Sequence, residues 1–211
     1  MSAGQRREAL VQAALRVVGE RGVASATTRA IVAEAGMSLA SFHYAFTSRD
    51  ELMAELVDFV VERQQRALAP LLAPHSAPLT LREAIRAGLQ RYFAVLREFP
   101  QHEAAMLELT QYALRMPGMR PLARAQYDSY RALASSALAA ASELSGDVWM
   151  RPVQEVARQL VVLTDGLTLA WLVDHDDEAA AATMDFAADA IARLAEPALV
   201  PTRPTTHPIE R

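Results

Sequence analysis

The chain is predicted to be all-α, with nine helices in a group of four and a group of five. Three observations point there. Ala dominates many segments while β-branched runs are scarce, and Ala costs least in a helix. Apolar residues recur at helical spacing, not at the alternation of a strand. Gly, Pro and Ser/Thr fall at the ends of those periodic stretches, where helices start and stop. At 211 residues the chain has room for one large or two small domains and can bury a real core.

The first helix is predicted from about Gln5 to Glu20, with Leu10, Ala13, Ala14, Val17 and Val18 on one face and Gly22 as its stop. Thr27 is a good N-cap for the second, which buries Ile31, Val32 and Ala35 and ends at Gly36. Ser38 caps a short third helix in which Phe42 and Phe46 are the inward anchors. Ser48-Arg49-Asp50-Glu51 reads as a capping box, Ser48 and Glu51 satisfying each other's free amides. The fourth helix then runs over about 48–69, with Leu52, Leu56, Phe59 and Val60 on one face.

Ala69–Pro78 holds three prolines and reads as a loop. Beyond it Thr80 caps a helix to about Phe99, with Ile85, Leu89, Phe93 and Leu96 in period. Pro100 opens the next, to about Met116, and Pro117-Gly118 breaks it. A long Ala-rich helix follows from Pro121 to about Leu144, closed by Ser145-Gly146. The most apolar helix spans Pro152 to about Val173. The last spans Asp177 to Leu194, with Met184, Phe186 or Ala187, and Ile191 facing inward. Residues 197–211 contain four prolines and no period, so a disordered tail is expected.

Several function classes are excluded at this level. Cysteine is absent, which removes disulfides and thiolate metal sites and fits a reducing compartment. The start, MSAGQRREAL, has no apolar leader, and the longest apolar candidate, Leu160–Val173, is interrupted by Thr164, Asp165, Gly166 and Thr168. The chain is therefore read as soluble and cytoplasmic, with no membrane partner. No Gly-rich phosphate loop, no Ser-His-Asp context and no metal-ligand spacing is present, so no catalytic residue, metal or cofactor is expected. The acidic run Asp174–Glu178 around His175 suits the N-terminus of the last helix better than a metal site. Net charge is −4, but residues 1–49 carry six Arg against three acids, leaving −7 on the remainder. A positive end on an acidic body suits a protein that presents one surface to phosphates.

The segment TTRAIVAEAGMSLASFHYAFTSR, Thr27–Arg49, has the outline of a helix-turn-helix, one helix crossing the DNA backbone and the next entering the major groove. Burial explains Phe42, Phe46, Ile31 and Leu52. It does not explain why Ser38, Ser41, His43 and Tyr44 share one short helix beside a neighbour that carries Arg29 in its first turn.

With DELMAEL added, this stretch resembles the tetracycline-repressor (TetR) family of bacterial transcription regulators: a Thr-Thr opening, an Ala-Gly turn, a Ser-capped short helix, and Ser-basic-x-x-Leu starting helix four. The resemblance is specific over about residues 5–62 and architectural beyond Pro70. It implies a DNA-binding domain over 1–49, helix four as a link, and a ligand and dimer domain over 70–196. Thr27 and Thr28 are implied to meet phosphate, and Arg29 a base or phosphate. Ser38, Leu39, Ala40, Ser41, His43 and Tyr44 would lie at the groove, and Arg49 would contact phosphate. Two positions depart from the family pattern. His43 stands where Tyr is usual, and Ala45 where a His or Tyr contacts phosphate, a role Tyr44 can take over.

The resemblance further implies a homodimer through the last two helices, a palindromic operator in double-stranded DNA, and a repressor released by a small molecule held among helices five to eight. Thr164, Asp165 and Thr168 place polar groups inside an otherwise apolar helix, either as bonds to a neighbouring helix or partner, or as the wall of a pocket. With Phe93, Met106, Leu109, Tyr112 and Trp171 they are the candidate pocket residues, and so few charges favour a mostly apolar or aromatic ligand. The competing reading is a helical small-molecule-binding or enzymatic protein whose three-helix N-terminus does not bind DNA.

Overall fold

The computed structural model describes residues 1–68 and 79–198. Among the described residues there are nine α-helices: α1 (Ala3–Arg21), α2 (Thr28–Glu34), α3 (Leu39–Ala45), α4 (Arg49–Leu68), α5 (Leu81–Glu98), α6 (Pro100–Arg115), α7 (Arg120–Ser145), α8 (Val153–Asp174) and α9 (Asp177–Ala192). A single 3-10 turn, Val23–Ser25, joins α1 to α2. The loop expected over Ala69–Pro78 and residues 199–211 of the expected tail lie outside the described residues.

Helix ends fall within a residue or two of expectation because their caps are local chemistry. The Thr27 hydroxyl accepts from the Ala30 amide and Ser38 from Ser41, each satisfying a donor that the first helical turn leaves free. Gly146 closes α7 in the left-handed region at φ 75°, which Gly adopts without steric cost. Asp176 caps α9 by accepting from the Glu178 and Ala179 amides, so the acidic run serves the helix start. α1 begins at Ala3, earlier than Gln5, because Ser2 and Gln5 form a reciprocal capping box. The box expected at Ser48 is half made. The Glu51 amide donates to Ser48, but the Glu51 carboxylate accepts from Thr47 and from Arg7 across the domain.

A short antiparallel pair was not foreseen. β1 (Asp147–Trp149) pairs with β2 (Ala195–Pro197), so α9 stops at Ala192 and Pro197, expected to open the tail, sits opposite Asp147. Three-residue strands are too short to show a period, and their pairing depends on two helices bringing their ends together.

The apolar residues form two cores. One gathers α1 to α4 around Leu10, Phe42, Phe46 and Leu56, and draws in Met106 and Leu109 of α6. The other packs α5, α7, α8 and α9 around Leu96, Leu138, Ala157 and Ile191. Helix α6 thus belongs to the amino-terminal core while flanking the second. On α9, Ala187 faces inward and Phe186 is 63% exposed. α8 is long and apolar enough to cross a membrane by length and composition, because its polar interruptions are outweighed over 18 residues, yet 33% of that window is buried in the protein. Val162, Leu169 and Val173 are exposed along it.

Candidate DNA-binding face and ligand cavity

Helices α2 and α3 are each seven residues long, too short to be stable alone. Their inward sides hold them: Ile31, Val32, Phe42 and Phe46 are buried, with Phe42 and Phe46 rings 5.7 Å apart. Arg7 of α1 pins the end of α3, donating to the Ala45 carbonyl and to Glu51 and Glu55, with its guanidinium 4.2 Å from the centre of the Phe46 ring. The outward side carries the sequence-predicted residues together. Thr27, Arg29, Ser38, Leu39, Ala40, His43 and Tyr44 are exposed, and Thr28 and Ser41 partly so. Tyr44 is 84% exposed, with a large ring that no packing explains.

The positive end is less available than the count of arginines suggests. Arg16 and Arg21 both pair with Glu34, and Arg7 is consumed inside the domain. Arg49 does not share the outward face either. Its Nε donates to the Ala26 carbonyl at 2.7 Å and its Nη2 to the Val23 carbonyl at 2.6 Å, with the guanidinium over the Tyr112 ring. Beside it the Glu108 carboxylate of α6 accepts from the Val23 amide at 2.7 Å. Gly22, at φ 83°, lets this approach happen, since a Cβ there would lie 2.7 Å from Glu108 Oε1. Arg49 and Glu108 therefore grip the 23–26 turn from two sides, one from the start of α4 and one from α6. Sequence reasoning missed Arg7 and Glu108, because both act at long sequence separation.

Between α5, α6, α7 and α8 lies a cavity of about 150 Å³. Of the sequence candidates, Met106, Thr164, Asp165 and Thr168 line it. Phe93 and Trp171 do not; they meet edge to face at 5.6 Å in the carboxy-terminal core. Leu109 and Tyr112 belong to the other core, because α6 turns that side toward α1 and α4. The polar and aromatic wall residues missing from the candidate set are Tyr92, Glu103, Thr110, Gln126, Tyr127 and Tyr130. One signal was available: Gln126, Tyr127 and Tyr130 place a polar, aromatic patch on an otherwise Ala-rich helix.

These groups are tied to one another. Tyr92 shares a hydrogen bond with Thr168, and the Tyr127 hydroxyl donates to Asp165 Oδ2 at 2.8 Å. The Gln126 amide donates to the Tyr130 hydroxyl, and its carbonyl oxygen accepts from Thr110. Burial pushes the Tyr127 phenol up to about 12, aided by Asp165, and pushes those of Tyr92 and Tyr130 well up too. All three stay neutral at physiological pH. Burial also raises the Asp165 carboxyl above the usual range, against the lowering effect of the Tyr127 bond.

Two stretches of the chain match known families. Residues 10–56 match the family described as bacterial regulatory proteins, tetR family, and residues 81–196 match the BetI-type transcriptional repressor C-terminal family. The HTH-type nicotine-responsive transcriptional repressor HdnoR of Paenarthrobacter nicotinovorans is 32% identical over 84% of this chain and 89% of its own length. The HTH-type transcriptional regulator BetI of Rhizobium meliloti (strain 1021) is 33% identical over 56% of each chain. Among solved structures, the multidrug binding protein EbrR complexed with imidazole superimposes with a TM-score of 0.61 at 28% identity, covering 90% of this chain and 94% of that one.

Proposed function

The chain belongs to the tetR family of bacterial regulatory proteins, as a repressor and not an enzyme, and from that premise we propose that it is a cytoplasmic homodimer that leaves a palindromic operator when a small molecule fills its cavity. The observation that carries the reading is the outward side of α2 and α3, where every predicted groove residue from Thr27 to Tyr44 is wholly or partly exposed on a rigidly backed pair of helices. Thr27 and Thr28 hydroxyls donate to phosphate. Arg29 takes guanine O6 and N7, and Leu39 and Ala40 lie against thymine methyls. Ser38, Ser41, His43 and Tyr44 supply hydrogen bonds to base edges and backbone.

Dimerisation has a candidate surface in the exposed apolar side chains of α8 and α9, Val162, Leu169, Val173 and Phe186. Gly166 among them has open space around it, so a second helix can come close. Two recognition helices related by a twofold axis then sit about one DNA turn apart, roughly 34 Å.

Release needs a ligand that binds better to a conformation whose recognition helices no longer match the groove spacing. Helix α6 supports such coupling, since Met106 and Thr110 line the cavity while Glu108 holds the Val23 amide. A shift of α6 on ligand binding therefore moves the turn that Arg49 ties to α4. HdnoR is named as nicotine-responsive, which supports a small molecule as the signal here also.

The test is anisotropy of labelled DNA taken from upstream of the gene, with light scattering on the same samples. The expected result is a dimer that prefers that DNA over scrambled sequence and loses it as a cavity ligand is added. A monomer at micromolar concentration, or no sequence preference, overturns the reading.

A further inference from the structure

We infer that Arg115, Arg120 and Arg124, at the turn between α6 and α7, form a second phosphate-contacting surface outside the helix-turn-helix. This rests on the chain binding DNA and adds contacts made by the carboxy-terminal helices.

The charge is concentrated there. Residues 50–211 carry −7 in all, yet residues 109–127 hold three Arg and no acid. All three side chains are exposed, and among the described residues none has an ion pair or hydrogen bond. By contrast Arg82, Arg86 and Arg97 of α5 each meet an aspartate of α9. The next acid along α7, Asp128, is bonded to Arg131.

Folding does not reward this placement. Arg120 and Arg124 lie four residues apart on one face of α7, where like charges repel. Arg120 is also the first residue of α7, where the helix dipole disfavours a cation. A partner rich in negative charge reverses both penalties. Arg115, in the last turn of α6, stands across a tight turn from them. In that turn the Met119 amide donates to the Met116 carbonyl at 3.2 Å, and Gly118 adopts φ 83°.

Position names the partner. Tyr112, one helical turn before Met116, lies under the Arg49 guanidinium at 5.5 Å, and Arg49 follows the end of α3 by four residues. Leu122, on the other side of the turn, packs against the core of α1 to α4. The α6–α7 turn is thus moored to the helix-turn-helix from both sides, so its arginines adjoin the unit that meets DNA. A guanidinium matches phosphate with two parallel N–H donors. Every stretch of duplex supplies phosphate, so contacts here add affinity without sequence preference.

The experiment is anisotropy of labelled upstream DNA and of a scrambled duplex, titrated between about 50 and 200 mM salt. Three forms of the full chain are compared: the natural one, the Arg115→Ala, Arg120→Ala, Arg124→Ala triple variant, and the triple variant with Arg→Lys at the same positions. The Ala variant should lower the salt slope by about two to three and weaken both duplexes alike, by at least about tenfold. The Lys variant should keep the slope. The urea midpoint of the Ala variant should stay or rise, because no bond is lost and a like-charge pair is removed. An unchanged slope, a loss confined to the upstream DNA, or a urea midpoint that falls along with affinity overturns the second surface. Arg29→Ala in the same series separates the two readings. A loss of specific binding there, with an unchanged slope in the triple variant, upholds the groove face and overturns the second surface. Sequence-blind binding by the natural chain, with a slope that still falls in the triple variant, upholds the second surface and overturns operator recognition. No binding of either duplex overturns both.

Discussion

Tyr44 on α3 is 84% exposed, whereas Tyr130 on α7 is partly buried with its hydroxyl accepting from Gln126. The contrast extends to the regions around them. On the outward side of α2 and α3 the Thr27 and Ser38 hydroxyls cap their own helices, Arg29, His43 and Tyr44 stand away from the body, and Arg7 bonds to Glu51 and Glu55 behind them. Around the cavity the polar groups bond to each other across four helices. A surface meant for phosphates and base edges must keep its donors uncommitted, because the partner brings the acceptors. A cavity must satisfy its own polar groups while empty, since each buried orphan costs about 1–3 kcal/mol. The difference teaches that exposed side chains can wait for a partner, whereas buried ones must find theirs within the fold.

The comparison can be broken most forcefully behind the recognition face. Phe42 is 1% exposed and anchors a helix too short to stand alone. Phe42→Ala should cost about 3–5 kcal/mol, read as a drop in urea midpoint at unchanged slope. A loss confined to DNA binding would show that α3 is not held by its core.

The junction is next. Glu108→Ala leaves the Val23 amide without its acceptor and should destabilise the chain by about 1–3 kcal/mol. It should also weaken the link between cavity occupancy and operator release, which operator titrations with and without ligand would measure. Arg49→Ala should lower stability by a similar amount, about 1–3 kcal/mol, because two backbone carbonyls lose their donor. If Arg49 contacts phosphate instead, the salt slope of DNA binding falls by about one and the melting temperature stays.

Arg29→Ala sharpens the other side of the comparison. Its side chain is exposed, so stability should stay within about 0.5 kcal/mol while specific binding loses roughly 1–3 kcal/mol. An equal loss on all sequences would assign it to phosphate.

The smallest effect concerns pH. His102 stacks on Phe99 at 5.2 Å, and its imidazole is pushed down to about 4, by burial first and by Arg63 second. The unfolded chain binds that proton near the ordinary value of 6.5. Between those values the unfolded state holds more protons, so stability falls as pH falls from about 6.5 to 4. With the ring partly exposed, the loss is on the order of 1–2 kcal/mol. Urea midpoints should drop across that window, and His102→Gln should flatten the profile there.

What could be read from the chain alone followed from locality. Thr27, Ser38, Thr80 and Gly146 act on amides or dihedrals within a few residues, so they marked helix ends without knowledge of the fold. The exposed side of α2 and α3 was legible for the same reason, since Thr27 to Ala45 is one continuous segment whose inward and outward sides alternate with helical period. Arg49 is the instructive exception. The family resemblance implied a phosphate contact, whereas its side chain donates to the carbonyls of Val23 and Ala26.

The cavity was only half legible. Thr164, Asp165 and Thr168 were conspicuous as polar residues in an apolar helix, and they line it. Phe93, Trp171, Leu109 and Tyr112 were plausible by type, but which core each enters depends on how α5, α6 and α8 are rotated about their axes. Tyr92, Tyr127 and Glu103 face Asp165's cavity only because four helices cross there, and no spacing along the chain encodes that crossing. Helix identity, helix ends and the exposed side of α2 and α3 were determined by the sequence itself, because they depend on neighbours within one or two turns. The cavity, the Glu108–Val23 junction and the β1–β2 pair were decided by tertiary structure, because each joins residues whose proximity exists only after the helices have packed.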